Sequence, residues 1–410
     1  MTGQDKVKIL YVHHGHGIGG APKSLLNLVK NLPSNTYKAS VVFQQHSAAV
    51  DLFEDSGIKV DVVGRAKNYL SHHKKSFISW FKFYRYFFIF KDWIHNAFFI
   101  APEYIEKYKP DLIHLNSDVL SSWAYAAKKR NIPVVCHNRD PFESRGYFGL
   151  RTRLVRKILN STVDVFICIS KDNRKRLCLE SKSVTIYNSV DIPEEYRVPF
   201  SEPAPYKVVY LGGMAKVKGF RVVAEAVKYL NENIVVQLAG GYGFVDNAFH
   251  TKVKGVNRIS FLIRRHDYNQ LFNILKLDNV NFIGVVEDPN KLIDDADILI
   301  SPFTIEHFSR PIIESFSRGK PVVASDIEGM SEIVCHNVDG ILVDVSSPKN
   351  LADAINFLAD NQPIAVKYGL SGRGKAQEFF SLEAHVEEVQ SVYDHLLNGD
   401  VNWDHFNEPC

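Results

Sequence analysis

Short apolar runs alternate along the chain with segments of helical periodicity. The runs are mostly apolar and several end in polar residues, a composition typical of strands in a parallel sheet that is covered on both faces. The helical segments carry apolar residues at i, i+3 and i+4, as at 24–32. The predicted strands are 7–12, 39–43, 110–117, 132–140, 163–170, 207–211, 234–239, 280–286, 298–300 and 321–324. The pattern predicts an α/β protein built from two βα arrays.

A proline-rich stretch separates the two arrays. Residues 192–205 contain four prolines with acidic residues between them, a composition typical of a linker. The sequence therefore predicts a first domain at 1–191, a second domain at 206–378, and a C-terminal helix with a polar tail at 379–410.

The most informative stretch lies between two of the predicted strands. The strand at 298–300 is followed by a loop that carries Glu306, and Pro311 stands at a plausible first helical position. Gly319 is placed to end this helix before the strand at 321–324. Open parallel sheets bind ligands beyond the carboxyl ends of their strands, where this loop is expected.

Two carboxylates and a helix start define the predicted chemistry of this loop. Backbone N–H groups near Arg310, Pro311 and Ile312 would favour a bound anion, above all a phosphate. Glu306 and Glu314, with seven residues between them, are good acceptors for sugar hydroxyls. The residues alone thus indicate a ligand that combines a phosphate with a polyol.

The string Glu-x7-Glu, followed by Gly-Lys-Pro-Val-Val-Ala and Glu-Gly-Met-x-Glu-Ile-Val, resembles the donor site of glycosyltransferase family 4. These are retaining enzymes that use nucleotide sugars. The resemblance implies the GT-B fold: two facing Rossmann-like domains, the first binding the acceptor and the second the donor. It also implies that the C-terminal helix returns to the N-terminal domain.

The resemblance assigns roles to residues of the second domain. Glu306 would be catalytic and hold the hydroxyls of the donor sugar, and Glu314 would accept hydrogen bonds from the ribose. Lys218 matches the lysine that neutralises the donor diphosphate. The family's arginine, five positions earlier, is Gly213 here. Lys216, Arg310 or the Gly213 backbone N–H would then supply the missing donor.

In the first domain the resemblance points to a glycine pair and a histidine. Gly19 and Gly20 would let the backbone approach the donor phosphate or the acceptor; the alternative is that they form only a tight βα turn. His137 would lie near the reacting sugar, although a histidine at a strand end is often an ordinary hydrogen-bonded residue. His114 lies inside an apolar run and is interpreted as structural.

Composition sets limits on compartment and cofactors. The net charge of +3 gives no argument for nucleic acid, and no run of 18 apolar residues predicts a membrane span. Five scattered cysteines and a start that runs directly into a strand predict reduced thiols, no signal peptide and a cytoplasmic protein. The Asp295-Ala296-Asp297 string begins a strand, so we expect neither a metal site nor a cofactor.

Two segments fall outside the resemblance. Residues 71–108 are rich in aromatic and basic residues, which suits either a helix that lies on a membrane surface or a core helix with snorkelling lysines. Enzymes of the resembled family often dock on membranes through basic and aromatic helices of the first domain, and this favours the membrane-surface interpretation. Residues 244–278 are predicted to be a local insertion.

The leading hypothesis is a metal-independent hexosyltransferase. It would move a sugar from a nucleotide-diphosphate sugar such as a UDP-sugar to a glycan or lipid-linked acceptor in polysaccharide, lipopolysaccharide or glycolipid synthesis. One alternative is a GT-B-fold sugar-nucleotide epimerase, for which only His137 is a convincing acid/base group. Another is a non-catalytic module that binds sugar nucleotides or membranes, with Gly213 as its only support.

Overall fold

The computed structural model describes residues 6–15, 20–64, 70, 84–139, 149–241, 269 and 273–399. Within these residues the chain divides into two compact units. Unit 1 comprises the residues up to Ser189 together with the helix that begins at Leu382, and unit 2 comprises Val190–Ser381. Most of the predicted insertion at 244–278, and residues 71–83 of the aromatic segment, lie outside the described residues.

Unit 1 is built on a seven-stranded parallel sheet with strand order β3-β2-β1-β4-β5-β6-β7. Its strands are β1 Val7–His13, β2 Tyr37–Phe43, β3 Val60–Val62, β4 Leu112–Leu115, β5 Val134–Asn138, β6 Val165–Cys168 and β7 Ser183–Thr185. Its α-helices are α1 Gly20–Asn31, α2 Ala48–Asp55, α3 Tyr84–His95, α4 Ala101–Tyr108, α5 Ser121–Lys128, α6 Gly149–Thr162 and α7 Lys171–Leu177. A π-helical turn, Asn96–Ile100, joins α3 to α4.

Unit 2 contains a second parallel sheet, of six strands in the order β10-β9-β8-β11-β12-β13. Its strands are β8 Tyr206–Tyr210, β9 Ile234–Ala239, β10 Val280–Gly284, β11 Ile298–Ser301, β12 Val322–Ser325 and β13 Gly340–Val343. Its α-helices are α8 Phe220–Ala226, α9 Pro289–Asp295, α10 Arg310–Ser317, α11 Pro348–Asp360 and α12 Gln362–Phe379. The prediction of two parallel α/β arrays is confirmed.

The last helix, α13 Leu382–Asn398, packs on unit 1. Its buried valines and Tyr393 join the hydrophobic cluster that contains β1 and α1. The Tyr393 hydroxyl lies 3.1 Å from the Tyr11 hydroxyl and 2.6 Å from His114 Nδ1. His114 is fully buried, and burial lowers its pKa to about 3. The structural interpretation of His114 therefore agrees with its contacts.

The residues that the sequence assigned to a linker are bonded to unit 2. The Arg197 guanidinium donates to Ala296 O at 2.7 Å and to Asp297 Oδ1 at 2.9 Å. Asp297 also accepts from the backbone N–H of Lys207, and Asp295 pairs with the Lys207 ammonium. Both carboxylates of the Asp-Ala-Asp string thus bind side chains or backbone of residues near the start of unit 2, namely Arg197 and Lys207.

The cysteines differ in state. Cys136 and Cys168 are buried thiols and Cys178 is an exposed one. Cys335 is disulfide-bonded, so the prediction of reduced thiols throughout the chain is wrong at that position.

Candidate active site

The Glu-x7-Glu loop joins the carboxyl end of β11 to the start of α10. Glu306 is exposed in this loop. Ser309 occupies the N-cap position of α10, but its side chain makes no capping hydrogen bond. Its hydroxyl lies instead 2.9 Å from that of Ser301, in a buried contact. The loop is thereby fastened to the end of the strand, and the N-cap side chain leaves the first turn of α10 uncapped.

The first turn of α10 offers fewer backbone donors than the sequence predicted. Pro311 is the second residue of the helix and has no N–H. The N–H of Ile312 donates to Ser309 O at 3.1 Å, and the Ile312 side chain is buried. Pro311 and Ile312 therefore shape the helix start and do not themselves bring a backbone donor to a ligand.

The predicted ligand groups Arg310 and Glu314 pair with each other. Arg310 Nε donates to Glu314 Oε1 at 2.8 Å, one turn along the helix, and both side chains are partly buried. This ion pair fixes both groups beside the loop. A ribose hydroxyl or a phosphate that used either group would have to share it with this partner.

The loop that contains Lys218 is attached directly to the Glu306 loop. Lys216–Lys218 forms a short 3-10 turn after β8, and the N–H of Thr304 donates to Val217 O at 2.9 Å. Gly219 has a φ of +82°, and a Cβ there would lie 1.8 Å from Pro302 O. Only glycine allows this close approach, so the sequence Lys218-Gly219 places the lysine beside the carboxyl end of β11.

The Lys218 ammonium makes no hydrogen bond or ion pair to any residue in the part of the chain that the structure describes. Its side chain is partly buried, and this burial lowers its pKa from the ordinary value for lysine. A desolvated cation without a countercharge favours binding of an anion, because the anion supplies the interactions that water no longer gives.

Gly213 is held by backbone packing and leaves no room for the family's arginine. Its φ is +56°, and a Cβ there would lie 2.4 Å from Gly241 O and 2.8 Å from Gly241 N. Its own N–H donates to Ala239 O at 3.0 Å. The prediction that this N–H supplies the missing phosphate donor is therefore not supported by the geometry.

A second loop, which begins the Glu-Gly-Met-x-Glu-Ile-Val string of the resemblance, braces the Glu306 loop. The N–H of His307 donates to Glu328 O at 3.2 Å. Gly329, with a φ of +87°, packs so closely that a Cβ would lie 2.8 Å from the His307 carbonyl. The rings of Phe303 and His307 stack with centroids 4.6 Å apart. These contacts hold the backbone on both sides of Glu306.

Of the residues predicted to form the site in unit 1, Gly20 is exposed and His137 is buried. Gly19 lies outside the described residues, and Gly20 is the exposed first residue of α1. His137 ends β5 and is fully buried, with its ring centroid 5.6 Å from that of His114 and 6.1 Å from that of His385. Burial, and then the charge of Arg139, lower the pKa of His137 well below its usual value. In this conformation His137 is neutral and is not exposed to a ligand.

Comparison with known proteins identifies the class. The model described as Glycosyltransferase Family 4 matches residues 18–194, and that described as Glycosyl transferases group 1 matches 191–375. An uncharacterized glycosyltransferase of Methanocaldococcus jannaschii is 24% identical over 385 residues, which are 92% of this chain and 95% of that protein. An Escherichia coli UDP-Gal:α-D-GlcNAc-diphosphoundecaprenol α-1,3-galactosyltransferase is 21% identical, covering 96% of this chain and 98% of that one.

Solved structures show the same fold. Anabaena HepE, solved with UDP and glucose, matches with a TM-score of 0.72 at 19% identity, over 95% of this chain and 99% of that one. A Rickettsia africae glycosyltransferase matches with a TM-score of 0.73 at 20% identity, over 97% and 100%. The two parallel-sheet units are those of a GT-B glycosyltransferase. The chain belongs to the family 4-like glycosyltransferases.

Proposed function

We propose that this protein is a retaining glycosyltransferase that uses a nucleotide-diphosphate sugar, with a UDP-sugar as the first candidate donor. The observation that carries the proposal is the Lys218 ammonium, partly buried and without a described partner, on a loop bonded to the Glu306 loop. That arrangement suits a ligand with an anionic diphosphate and a sugar. The UDP and UDP-glucose complexes of Anabaena HepE support the choice of nucleotide.

In the proposed reaction, the acceptor hydroxyl oxygen bonds to the anomeric carbon as the bond to the diphosphate breaks, and the hydroxyl proton passes to the departing diphosphate. Lys218 and the positive end of α10 stabilise the negative charge that develops on the leaving diphosphate. Glu306 holds the sugar hydroxyls and stabilises the positive charge at the anomeric carbon. These groups take the role that a metal has in other transferases, and the retaining outcome follows from the resemblance of the Glu-x7-Glu loop to family 4.

The proposed acceptor is a glycan or a lipid-linked sugar. Among the relatives are O-antigen, capsule and lipopolysaccharide-core transferases, and the galactosyltransferase of Escherichia coli carries a diphosphoundecaprenol acceptor in its name. By analogy we place this protein in the synthesis of a cell-surface polysaccharide or glycolipid.

The proposed function includes contact with a membrane surface on the cytoplasmic side. The outer face of α3 and the π-turn exposes six large apolar side chains: Phe87, Phe88, Phe90, Ile94, Phe98 and Phe99. The opposite face packs on the rest of unit 1, where Trp93 Nε1 donates to Ser121 Oγ at 3.0 Å.

Two lysines lie beside this aromatic face. Lys91 is exposed within it, and the Lys129 ammonium at the end of α5 lies over the ring of Tyr125. The Tyr125 ring in turn contacts that of Phe98. An aromatic face with lysines beside it suits the interface of an anionic bilayer. No described helix is long and apolar enough to cross a membrane.

The test begins with a thermal-shift screen of nucleotide sugars on the full chain, since a ligand that binds the native state raises its melting temperature. The best ligand is then incubated with and without a membrane lipid extract as the acceptor pool. A transferase releases the nucleotide diphosphate and glycosylates lipid only when the acceptor is present. An epimeric sugar nucleotide formed without acceptor would instead identify an epimerase, and binding without turnover on any acceptor would identify a binding module.

A further inference from the structure

Tyr210 connects the first strand of unit 2 to the loop that carries Lys218. It is the last residue of β8, and its buried ring belongs to the hydrophobic cluster of that unit. Its hydroxyl donates to the carbonyl oxygen of Lys218 at 3.2 Å. The polar group of a core side chain is therefore bonded to the backbone of the cation that the proposed donor site uses.

Gly212 provides the space in which the Tyr210 ring reaches Lys218. A Cβ at position 212 would lie 2.0 Å from the Tyr210 hydroxyl oxygen and 2.1 Å from the Cζ atom that carries it. Any side chain at position 212 would displace the ring, because these distances are far shorter than a van der Waals contact. The ring thus crosses the chain just beyond β8, on a path that only glycine permits.

The Lys218 carbonyl belongs to the peptide group that joins a 3-10 turn to helix α8. Lys216–Lys218 forms the turn, and Gly219 follows with a φ of +82°. Two N–H groups in the first turn of α8 donate to Gly219 O, one residue after Lys218. The helix therefore holds the Gly219 carbonyl, whereas the Tyr210 hydroxyl holds the Lys218 carbonyl.

Hydrogen bonds on both sides of Lys218 fix its backbone. Its own N–H donates to Ala215 O at 3.0 Å, and the preceding carbonyl, that of Val217, accepts from the N–H of Thr304 at 2.9 Å. The Tyr210 hydroxyl adds the contact on the C-terminal side. Because the lysine side chain leaves from this backbone, the tyrosine helps to determine where the ammonium lies. A preorganised cation binds an anion more tightly, since less conformational freedom is lost on binding.

We propose that Tyr210 is a positioning residue for the donor diphosphate and acts through Lys218. This inference rests on the proposed glycosyltransferase function, because it concerns how that site holds its donor. Tyr210 orients the lysine and does not itself contact the ligand. Loss of its hydroxyl should therefore weaken binding of the diphosphate and leave binding of the nucleoside unchanged.

The test uses UDP and uridine as probes, titrated calorimetrically into the full chain. Tyr210→Phe removes only the hydroxyl and should weaken UDP binding about threefold to tenfold, the size expected for one hydrogen bond. Uridine affinity should stay at the wild-type value. In the Lys218→Ala background the same substitution should have no further effect on UDP, because the lysine through which it acts is gone.

Tyr206→Phe is the matched control. It removes a hydroxyl that accepts from Gln362 at the opposite end of the same strand, and it should leave UDP affinity unchanged. A loss of UDP affinity in this variant as large as in Tyr210→Phe would show that any hydroxyl on β8 has the same effect, and it would overturn the proposal.

Three further results would also overturn the proposal: wild-type UDP affinity in Tyr210→Phe, an equal loss of affinity for UDP and uridine, or a loss in the Lys218→Ala background as large as in the wild-type background. The last two would show that the hydroxyl supports the unit as a whole rather than the lysine. A wild-type protein that fails to bind UDP contradicts the proposed function, while titration of the same variants with inorganic pyrophosphate still reports on the coupling of Tyr210 to Lys218.

Discussion

At the scale of single residues, the proposed donor site combines the Lys218 cation with several close backbone contacts. Lys218 is placed by Gly219, which allows its loop to touch Pro302, and by the hydrogen bond from Thr304 to Val217. Arg310 is paired with Glu314, so it brings less unused charge to the loop than Lys218 does. We therefore expect Lys218 to contribute most of the charge that holds the donor diphosphate.

Lys218→Ala should weaken UDP binding roughly tenfold to a hundredfold, because a charge-assisted hydrogen bond contributes roughly 1.5–3 kcal/mol. Titration calorimetry measures this directly. Lys228→Ala is the matched control, since Lys228 is exposed in the same unit and pairs with Glu225. Equal affinity in Lys218→Ala and the control would remove Lys218 from the site.

Placing the family's arginine at position 213 should destabilise the protein. Gly213→Arg places a side chain at positive φ, which costs about 1–2 kcal/mol, and drives its Cβ into the Gly241 backbone. We expect a loss of at least about 2 kcal/mol in the free energy of unfolding and no gain in UDP affinity. Gly241→Ala is the control, because no atom of the described residues lies within 4 Å of a Cβ there. A stable Gly213→Arg variant with tighter UDP binding would contradict the described backbone.

The sequence indicated the positions of these residues better than their contacts. Glu306 and Glu314 follow from the spacing of strand, loop and helix, which is local information, and Lys218 follows from the resemblance to family 4. The pairing of Arg310 with Glu314 depends on side-chain rotamers, and the ring contact of His137 with His385 of α13 joins residues more than 200 positions apart in the sequence. Such contacts cannot be read from local patterns.

At the scale of elements, the buried tyrosine of α13 connects the end of the chain to the first sheet. The Tyr393 hydroxyl contacts the hydroxyl of Tyr11 and Nδ1 of His114, so the C-terminal helix belongs to the core of unit 1. The sequence predicted a C-terminal helix with a polar tail at 379–410, and the observed helix lies inside that range. The apolar pattern did not indicate α12, whose 18 residues include three glycines and show little amphipathic character.

Tyr393→Phe should destabilise the protein by roughly 1–3 kcal/mol, because it leaves buried polar atoms of Tyr11 and His114 without this partner. Denaturant unfolding followed by circular dichroism measures the change. Tyr229→Phe removes a hydroxyl from an exposed residue and should change stability by less than about 0.5 kcal/mol. Equal stability of the two variants would show that the hydroxyl of Tyr393 does not hold α13.

The outer face of α3 gives a second prediction at this scale. The full chain should float with vesicles that contain phosphatidylglycerol, and the triple variant Phe87→Ser, Phe90→Ser and Phe98→Ser should not, because it loses most of the exposed aromatic area. Phe357→Ser changes an exposed phenylalanine of α11 and serves as the control. Flotation of the triple variant with wild-type efficiency would exclude this face as the contact.

At the scale of the whole molecule, the chain forms unit 1, then unit 2, and then returns to unit 1 with α13. The apolar pattern predicted both parallel sheets, because strands buried on two faces have a distinctive composition. The sequence did not show that residues 192–205 are bonded to unit 2, since the partners of Arg197 lie about 100 residues further along the chain.

The most direct test of the account is sugar transfer by the full chain, measured with the nucleotide sugar that binds best and a lipid-linked acceptor pool. Wild-type protein should transfer the sugar with retention of the anomeric configuration, as seen by nuclear magnetic resonance of the product. Glu306→Ala and Lys218→Ala should each abolish transfer while keeping the wild-type circular dichroism spectrum. Unchanged turnover in both variants, or a product with inverted configuration, would contradict the account.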